Sequence, residues 1–335
     1  MRIGKIDTRI TPLIVAEIGN NHEGNFEVAR RLVEEAANAG AQCVKFQTFR
    51  TEHYVSRMDH ARFARLKSFE LSLAQFEELS RLARDLGLLF MSTPFDLESA
   101  VGLAPFVDAF KIASGDVDFY PLINKVLSFG KSVIISTGAS SLENVKDTVT
   151  FARERLGALT EERLGLLHCV SSYPAPMAEV NLLSISLMRE QFGLSIGFSD
   201  HTDGTDASTM AVAAGAEIIE KHFTLDKNYS SFRDHQLSAD PAEFRRLIEK
   251  IAEVRTILGE KVKRVQPSES SSVLSLRRSI VAARDMKPGE RIAYGDLTWI
   301  RPRNGLHPGA EELLVGRRLR KAVEFGEVIR PDDCD

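Results

Sequence analysis

Eight short apolar runs, amphipathic stretches between them, and a change of texture after Gly259 predict a (β/α)8 TIM barrel followed by a small β-rich domain. The runs cover residues 13–19, 43–49, 88–93, 109–114, 132–137, 163–170, 194–199 and 218–224. Each has strand length and is too short for an independent helix. Between them, FEVARRLVEEAANAG, LAQFEELSRLARDLG and ADPAEFRRLIEKIAEVRTILG place apolar residues at helical spacing, and each ends on the glycine that commonly closes a helix. Eight such units within residues 1–260 match the size of a closed barrel. An open doubly wound sheet has fewer strands as a rule and a glycine-rich first turn, which this sequence lacks.

After Gly259, KVKRVQPSESSSVLSLRR is charged, then serine-rich and aperiodic, which marks residues 261–278 as a linker. Residues 279–335 contain two β-like runs with KPGE and EFGE turn signals. A domain of about 60 residues is near the size at which a lone core is marginal, so it is expected to lean on another surface, its own barrel or a partner's.

The bulk properties of the 335 residues exclude several classes. A formal net charge of -4 leaves no basic surface for nucleic acid. No apolar run reaches the length of a membrane span, and the N-terminus lacks the regions of a signal peptide. Cys43, Cys169 and Cys334 are odd in number, far apart and without CxxC spacing. They suit a reducing cytoplasm, neither a disulfide framework nor a structural zinc site.

In such a barrel the active site lies at the C-terminal strand ends, and here these ends are polar. The first closes on Glu17 and Gly19-Asn20-Asn21-His22. The second carries Lys45 and Gln47, two apart and on one face. The third ends at Ser92-Thr93, and the fourth has Lys111 and then Ser114-Gly115-Asp116. Ser136 and Thr137 end the fifth, Ser171-Ser172-Tyr173 follow the sixth, Asp200-His201 the seventh, and Glu220 and His222 share a face of the eighth. Two interior lysines need anionic partners. A bound phosphate or carboxylate would serve, as would a structural network with Glu17, Glu220 or Asp116. His201 and His222, with a carboxylate such as Glu17 or Asp234, suit a divalent ion such as manganese, iron or cobalt with open water positions. No GxSxG elbow supports serine hydrolysis.

The blocks AEIGNNHEGN, VKFQTF, MSTPFD, FKIASGD, IISTGAS, LHCVSSYPAP, IGFSDHT and EKHFT stand in the order of the sialic acid synthase family, which this chain resembles over nearly its whole length. That family comprises the N-acetylneuraminate, legionaminate and pseudaminate synthases. The tail, RRSIVAARDMKPGERI…WIRPRNGLHPG, is similar to its C-terminal SAF (antifreeze-like) domain. The resemblance implies a transferase that joins phosphoenolpyruvate to an N-acylated hexosamine aldehyde and releases phosphate. It implies that Lys45, Gln47, Thr93, Lys111, Ser114, Ser136, Ser171 and Tyr173 hold phosphoenolpyruvate. Glu17 would stand near the reacting centre, Glu220 and Asp234 near sugar hydroxyls or water on the metal, and His201 and His222 would ligate the metal. Glu17, Lys45, Lys111 and Glu220 are thus the expected catalytic set. The metal would be manganese, with magnesium or cobalt as alternatives. Arg301 would reach the acyl amide from the other subunit, which implies a domain-swapped homodimer.

Three departures bear on the sugar. Arg303 replaces a glycine of the SAF loop, and Phe232-Arg233-Asp234-His235 replaces a glycine-proline-aspartate turn. The segment TFRTEHYVSRMDHARFARLKSFELS bears little resemblance to the N-acetylneuraminate enzymes of the family, and is expected to be loop with His53 and His60 solvated. Two other readings stand beside the first. A heptulosonate- or octulosonate-type synthase would need a second phosphate site and no SAF domain, and a non-catalytic polysaccharide-assembly protein would merely keep the fold.

Overall fold

The computed structural model describes residues 1–335, which fall into two compact units, 1–259 and 260–335. The first unit opens with a two-stranded hairpin, β1 (Arg2–Ile3) and β2 (Ile6–Asp7). Eight parallel strands follow: β3 (Leu13–Gly19), β4 (Cys43–Thr48), β5 (Leu89–Pro94), β6 (Ala109–Ile112), β7 (Ser132–Ser136), β8 (Leu164–Cys169), β9 (Ser195–Asp200) and β10 (Ile218–His222). They close in sequence order, with β10 pairing β3. The run expected at 109–114 ends early, because Ser114–Asp116 turns into a short 3₁₀ helix.

Alternation sorts each strand into two buried faces. Outward residues such as Ile14, Val44, Phe90, Phe110, Ile135 and Phe198 join the helices in one core. Inward residues of the lower barrel, including Val15, Cys43, Met91, Ile134, Leu167 and Ile218, join Met1 and Ile3 in a second core. Gly165 makes that plug possible, since a Cβ there would stand 2.5 Å from the Met1 sulfur. Above this apolar floor the inward positions turn polar, which sets the site at the strand tips.

The helices start where their caps dictate. Asn25 caps Phe26–Asn38, and Ser72, Ser141 and Asp240 form capping boxes for Leu73–Asp85, Leu142–Leu156 and Pro241–Leu258. The segment expected to be loop after Gln47 is instead two helices, Thr51–Tyr54 and His60–Phe69, the second capped by Asp59. Its periodicity is weak because arginines share the inward stripe with Leu66 and Phe69, so sequence pattern alone reads as loop. His53 and His60 are exposed.

The second unit pairs β11 (Ser279–Ala282) with β12 (Leu297–Ile300) in antiparallel register. Ile280, Met286, Ile292, Leu314, Leu319, Val323 and Ile329 fill its core. The KPGE and EFGE turns place Gly289 and Gly326 at φ 84° and 83°, where only glycine sits without strain. Within residues 261–278 the chain forms one 3₁₀ turn, Pro267–Glu269, and a short helix, Val273–Leu276. No helix of the protein is long and apolar enough to cross a membrane.

Candidate active site at the strand tips

A cavity of about 960 Å³ opens over the C-terminal ends of the barrel strands. Thirteen of the fourteen residues expected to hold substrate, catalyse or ligate metal line it: Glu17, Lys45, Gln47, Thr93, Lys111, Ser114, Ser136, Ser171, Tyr173, His201, Glu220, His222 and Asp234. Arg301 belongs to the second unit, exposed just beyond β12.

Strand alternation and barrel stagger bring four buried charges together. Lys45 Nζ stands 2.8 Å from Glu17 Oε2 and 3.5 Å from Glu220 Oε2, and Lys111 Nζ stands 3.5 Å from Glu220 Oε1. Of the three acids named as structural partners, Glu17 and Glu220 pair with the lysines, and Asp116 pairs with neither. Lys45 also donates to Thr93 (3.3 Å), Ser199 to Glu220 (2.8 Å) and Gln47 to Glu17 (3.2 Å), while Asn20 fixes Gln47 from above (2.8 Å).

The four groups differ electrostatically. Burial opposes the Lys45 charge, but Glu17 and Glu220 outweigh it and raise the ammonium above its ordinary pKa. Lys111 has weaker support, so burial lowers it. Burial raises Glu17 against the pull of Lys45. Glu220 resists the same burial, because Lys111, Lys45 and the Ser199 hydroxyl hold it well below the carboxylate range. Burial and the lysines thus push the two neighbouring carboxyls in opposite directions, a split typical of acid-base sites.

Beside Lys111 lies a hydroxyl cradle. The Gly138 amide donates to Ser114 Oγ (3.0 Å), which touches the Cys169 thiol at 3.1 Å. Ser136 Oγ is buried with no partner at all. A buried hydroxyl in that state costs free energy unless something bound accepts or donates to it. Ala139 and Glu23, both on the cavity wall, adopt positive φ (56° and 46°), strain of the kind that collects at binding sites.

His201 and His222 stand with ring centroids 5.5 Å apart, and Tyr173 packs on His201 at 4.2 Å. The Val170 carbonyl accepts from His201 Nδ1 (2.8 Å), which leaves Nε2 as the lone-pair nitrogen, 3.5 Å from the Ser199 hydroxyl. Burial lowers both imidazoles, His222 especially, so each is neutral and able to ligate. No third His, Cys, Asp or Glu gathers with them. The donor set therefore fits a divalent ion held by two imidazoles with its other positions open, and does not fit a closed structural site.

Several wall residues were invisible as site residues in the sequence. Tyr54, Arg62, Arg65 and Phe69 reach the cavity from the two helices that read as loop. The only available signal was spacing: 62, 65, 66 and 69 fall on one helical face. Arg233 lies over the Tyr173 ring at 4.8 Å, and Asp234 opens a short helix, Asp234–Leu237. Glu23 accepts from Ser230 and meets His235 Nε2 at 3.0 Å, tying the loop over β10 to that after β3.

A closed (β/α)8 barrel whose strand tips hold paired charges, a hydroxyl cradle and two neutral imidazoles defines an enzyme that binds small anionic substrates. The NeuB family model matches residues 32–263 and the SAF domain model residues 277–334, and the chain belongs to the NeuB family. It is 37% identical over 332 residues to the N,N'-diacetyllegionaminic acid synthase of Campylobacter jejuni, covering 95% of this chain and 98% of that one. It is 32% identical to a pseudaminic acid synthase of the same species, covering 99% of each. Among solved structures, the N-acetylneuraminic acid synthetase of Leptospira borgpetersenii superposes with a TM-score of 0.75 at 33% identity, covering 82% of this chain and 94% of that one. The SAF match removes the ground for a heptulosonate-type reading, which expects no such domain.

Proposed function

We propose that the protein condenses phosphoenolpyruvate with an N-acylated hexosamine, N-acetylmannosamine-like, to give a sialic-acid-type nonulosonate and phosphate for surface polysaccharide synthesis. The observation that carries this reading is the buried, unpartnered Ser136 hydroxyl, which with Ser114 and Lys111 lines a cradle suited to an anion. Lys45, Lys111, Ser114, Ser136 and Ser171 bind the donor's phosphate and carboxylate, and Gln47, Thr93 and Tyr173 orient it. The enol carbon C3 bonds to the aldehyde carbon, water adds at C2, and the C2–O bond breaks to release phosphate. Rigid strands hold the donor above the aldehyde, and such positioning can contribute ~7–11 kcal/mol. Glu17, with its raised affinity for a proton, serves the proton traffic, and Glu220 and Asp234 hold sugar hydroxyls. His201 and His222 would hold a divalent ion, manganese first, with magnesium or cobalt as alternatives. When bound, such an ion supplies Lewis-acid polarisation of the aldehyde.

Tyr294 (60% exposed) and Phe325 (65%) leave apolar surface on the small second unit. This supports a domain-swapped homodimer in which Arg301 of one copy meets the acyl amide in the other. Three unpaired cysteines suit work in the cytoplasm.

The test is phosphate release from phosphoenolpyruvate with manganese and a panel of acylated hexosamines, before and after chelation. Lys111→Ala is expected to lose ~10²–10³ in rate while keeping its fold. Near-wild-type turnover would remove Lys111 from the site, and silence across the whole panel would refute the condensation.

A further inference from the structure

The cavity mouth carries more positive charge than the donor's cradle needs. On the helix His60–Phe69, Arg62, Arg65, Leu66 and Phe69 form the stripe that faces the cavity. Lys67, which lies off that stripe, is bound by Glu52 at 3.0 Å and Glu70 at 3.0 Å. Neither Arg62 nor Arg65 forms an ion pair with a carboxylate, and Arg62 lies over the Tyr54 ring at 5.7 Å. On the loop after β10, Arg233 lies over the Tyr173 ring at 4.8 Å, with its Nε 3.5 Å from an Asp234 carboxylate oxygen. Phe69 and Phe232 pack edge to face at 5.3 Å, so the helix and the loop bearing Arg233 are neighbours. Arg65 and Asp234 line the same cavity. Ser230 and Ser231 add hydroxyls to this wall.

The floor has a different balance. Lys45 and Lys111 are matched by Glu17 and Glu220, so the charges there cancel when the site is empty. The unmatched cations, Arg62, Arg65 and Arg233, are the exposed ones on the cavity wall. A cavity of about 960 Å³ is near the top of the ~300–1,000 Å³ range for small-molecule sites, large enough for two substrates and a further charged group.

We propose that Arg62, Arg65 and Arg233 form an anion subsite that receives a phosphate or carboxylate borne by the distal end of the acceptor sugar. This rests on the condensation proposed above and sharpens its acceptor from a neutral hexosamine to an anionic one. Guanidinium groups suit this task, since their planar donor forks match phosphate and carboxylate oxygens. The two sources share one chemistry and separate by experiment.

The test compares N-acetylmannosamine, its 6-phosphate and the corresponding 6-carboxylate (the uronic acid) as acceptors in phosphate release. A charged acceptor is expected to exceed the neutral one in kcat/KM by roughly tenfold or more, the scale of a charge-assisted bond. The better of the two charged sugars identifies the anion. In Arg62→Ala/Arg65→Ala, the ratio of charged to neutral kcat/KM should fall by about tenfold, through KM. A wild-type enzyme that prefers the neutral sugar overturns the proposal while leaving the condensation standing. So does a double variant whose ratio is unchanged. If no acceptor releases phosphate, the condensation fails, and calorimetry then decides the subsite. Tighter binding of the 6-phosphate or 6-carboxylate than of N-acetylmannosamine, lost in the double variant, supports it, and equal binding overturns it.

Discussion

Gly138 is the narrowest point of the cradle, and an alanine there tests the cradle without touching any charge. The residue does not occupy the left-handed region, so its backbone accepts a side chain. The space does not. A Cβ would stand 2.9 Å from Ser114 Oγ and 2.7 Å from Cys169 Sγ, with Ser171 Oγ nearer still, whereas real Cβ contacts essentially never fall below 3.0 Å. All three neighbours must turn away, and Ser114 then gives up the bond it accepts from the Gly138 amide. Overpacking of this kind costs ~1–3 kcal/mol. The lost hydrogen bond adds about 1 kcal/mol. For a domain of this size the melting temperature should fall about 2–4 °C for each kcal/mol. The effect on catalysis should be larger, because displaced hydroxyls no longer meet the donor and each preorganised donor is worth ~10² or more in rate. The assay is kcat/KM for phosphoenolpyruvate in phosphate release, together with thermal unfolding. A Gly138→Ala enzyme that melts slightly lower yet turns over within about threefold of wild type would refute the cradle as the anion site.

Two further substitutions probe buried charge. Burial, reinforced by Asp118, pushes the Asp116 carboxyl up to about 6 from its ordinary 3.8. The folded protein therefore keeps a proton there that the unfolded chain releases, and stability declines as pH rises through about 6. Asp116→Asn should thus melt higher than wild type at pH 8, by roughly 1 kcal/mol after solvent screening, with no advantage at pH 4. An equal gain at both values would show that the charge is not the cause. Lys221 and Asp200 are both fully buried, with Nζ 3.4 Å from the carboxylate. Lys221→Met leaves that carboxylate without its cation, and urea unfolding should show a loss of ~3–5 kcal/mol; a loss under about 1 kcal/mol would mean the hydroxyls of Thr202 and Ser208 suffice for Asp200.

The barrel was legible because its strands are buried on both faces, which makes each an apolar run that stops where the cavity begins. The floor of the site was legible for the converse reason. Lysine, glutamate and histidine two apart inside such runs, as at Lys45/Gln47 and Glu220/His222, have no apolar explanation. Which carboxylate would meet which lysine was not legible, since that depends on stagger between strands far apart in sequence. Nor was the helix His60–Phe69, whose inward stripe mixes arginine with Leu66 and Phe69 because it faces a polar cavity and not a core. The crowding around Gly138 has no sequence trace, as it arises where three loops converge.

The square of Glu17, Lys45, Glu220 and Lys111 has a consequence for the traffic of the site. An empty barrel carries no naked charge and can fold and wait without its cargo. An arriving trianion must win the lysines away from their resident carboxylates, and Glu17, whose carboxyl burial pushes up, is left with a charge it cannot share. Filling the site should therefore draw a proton from solution, so that occupancy and acidity are linked before any bond is made or broken.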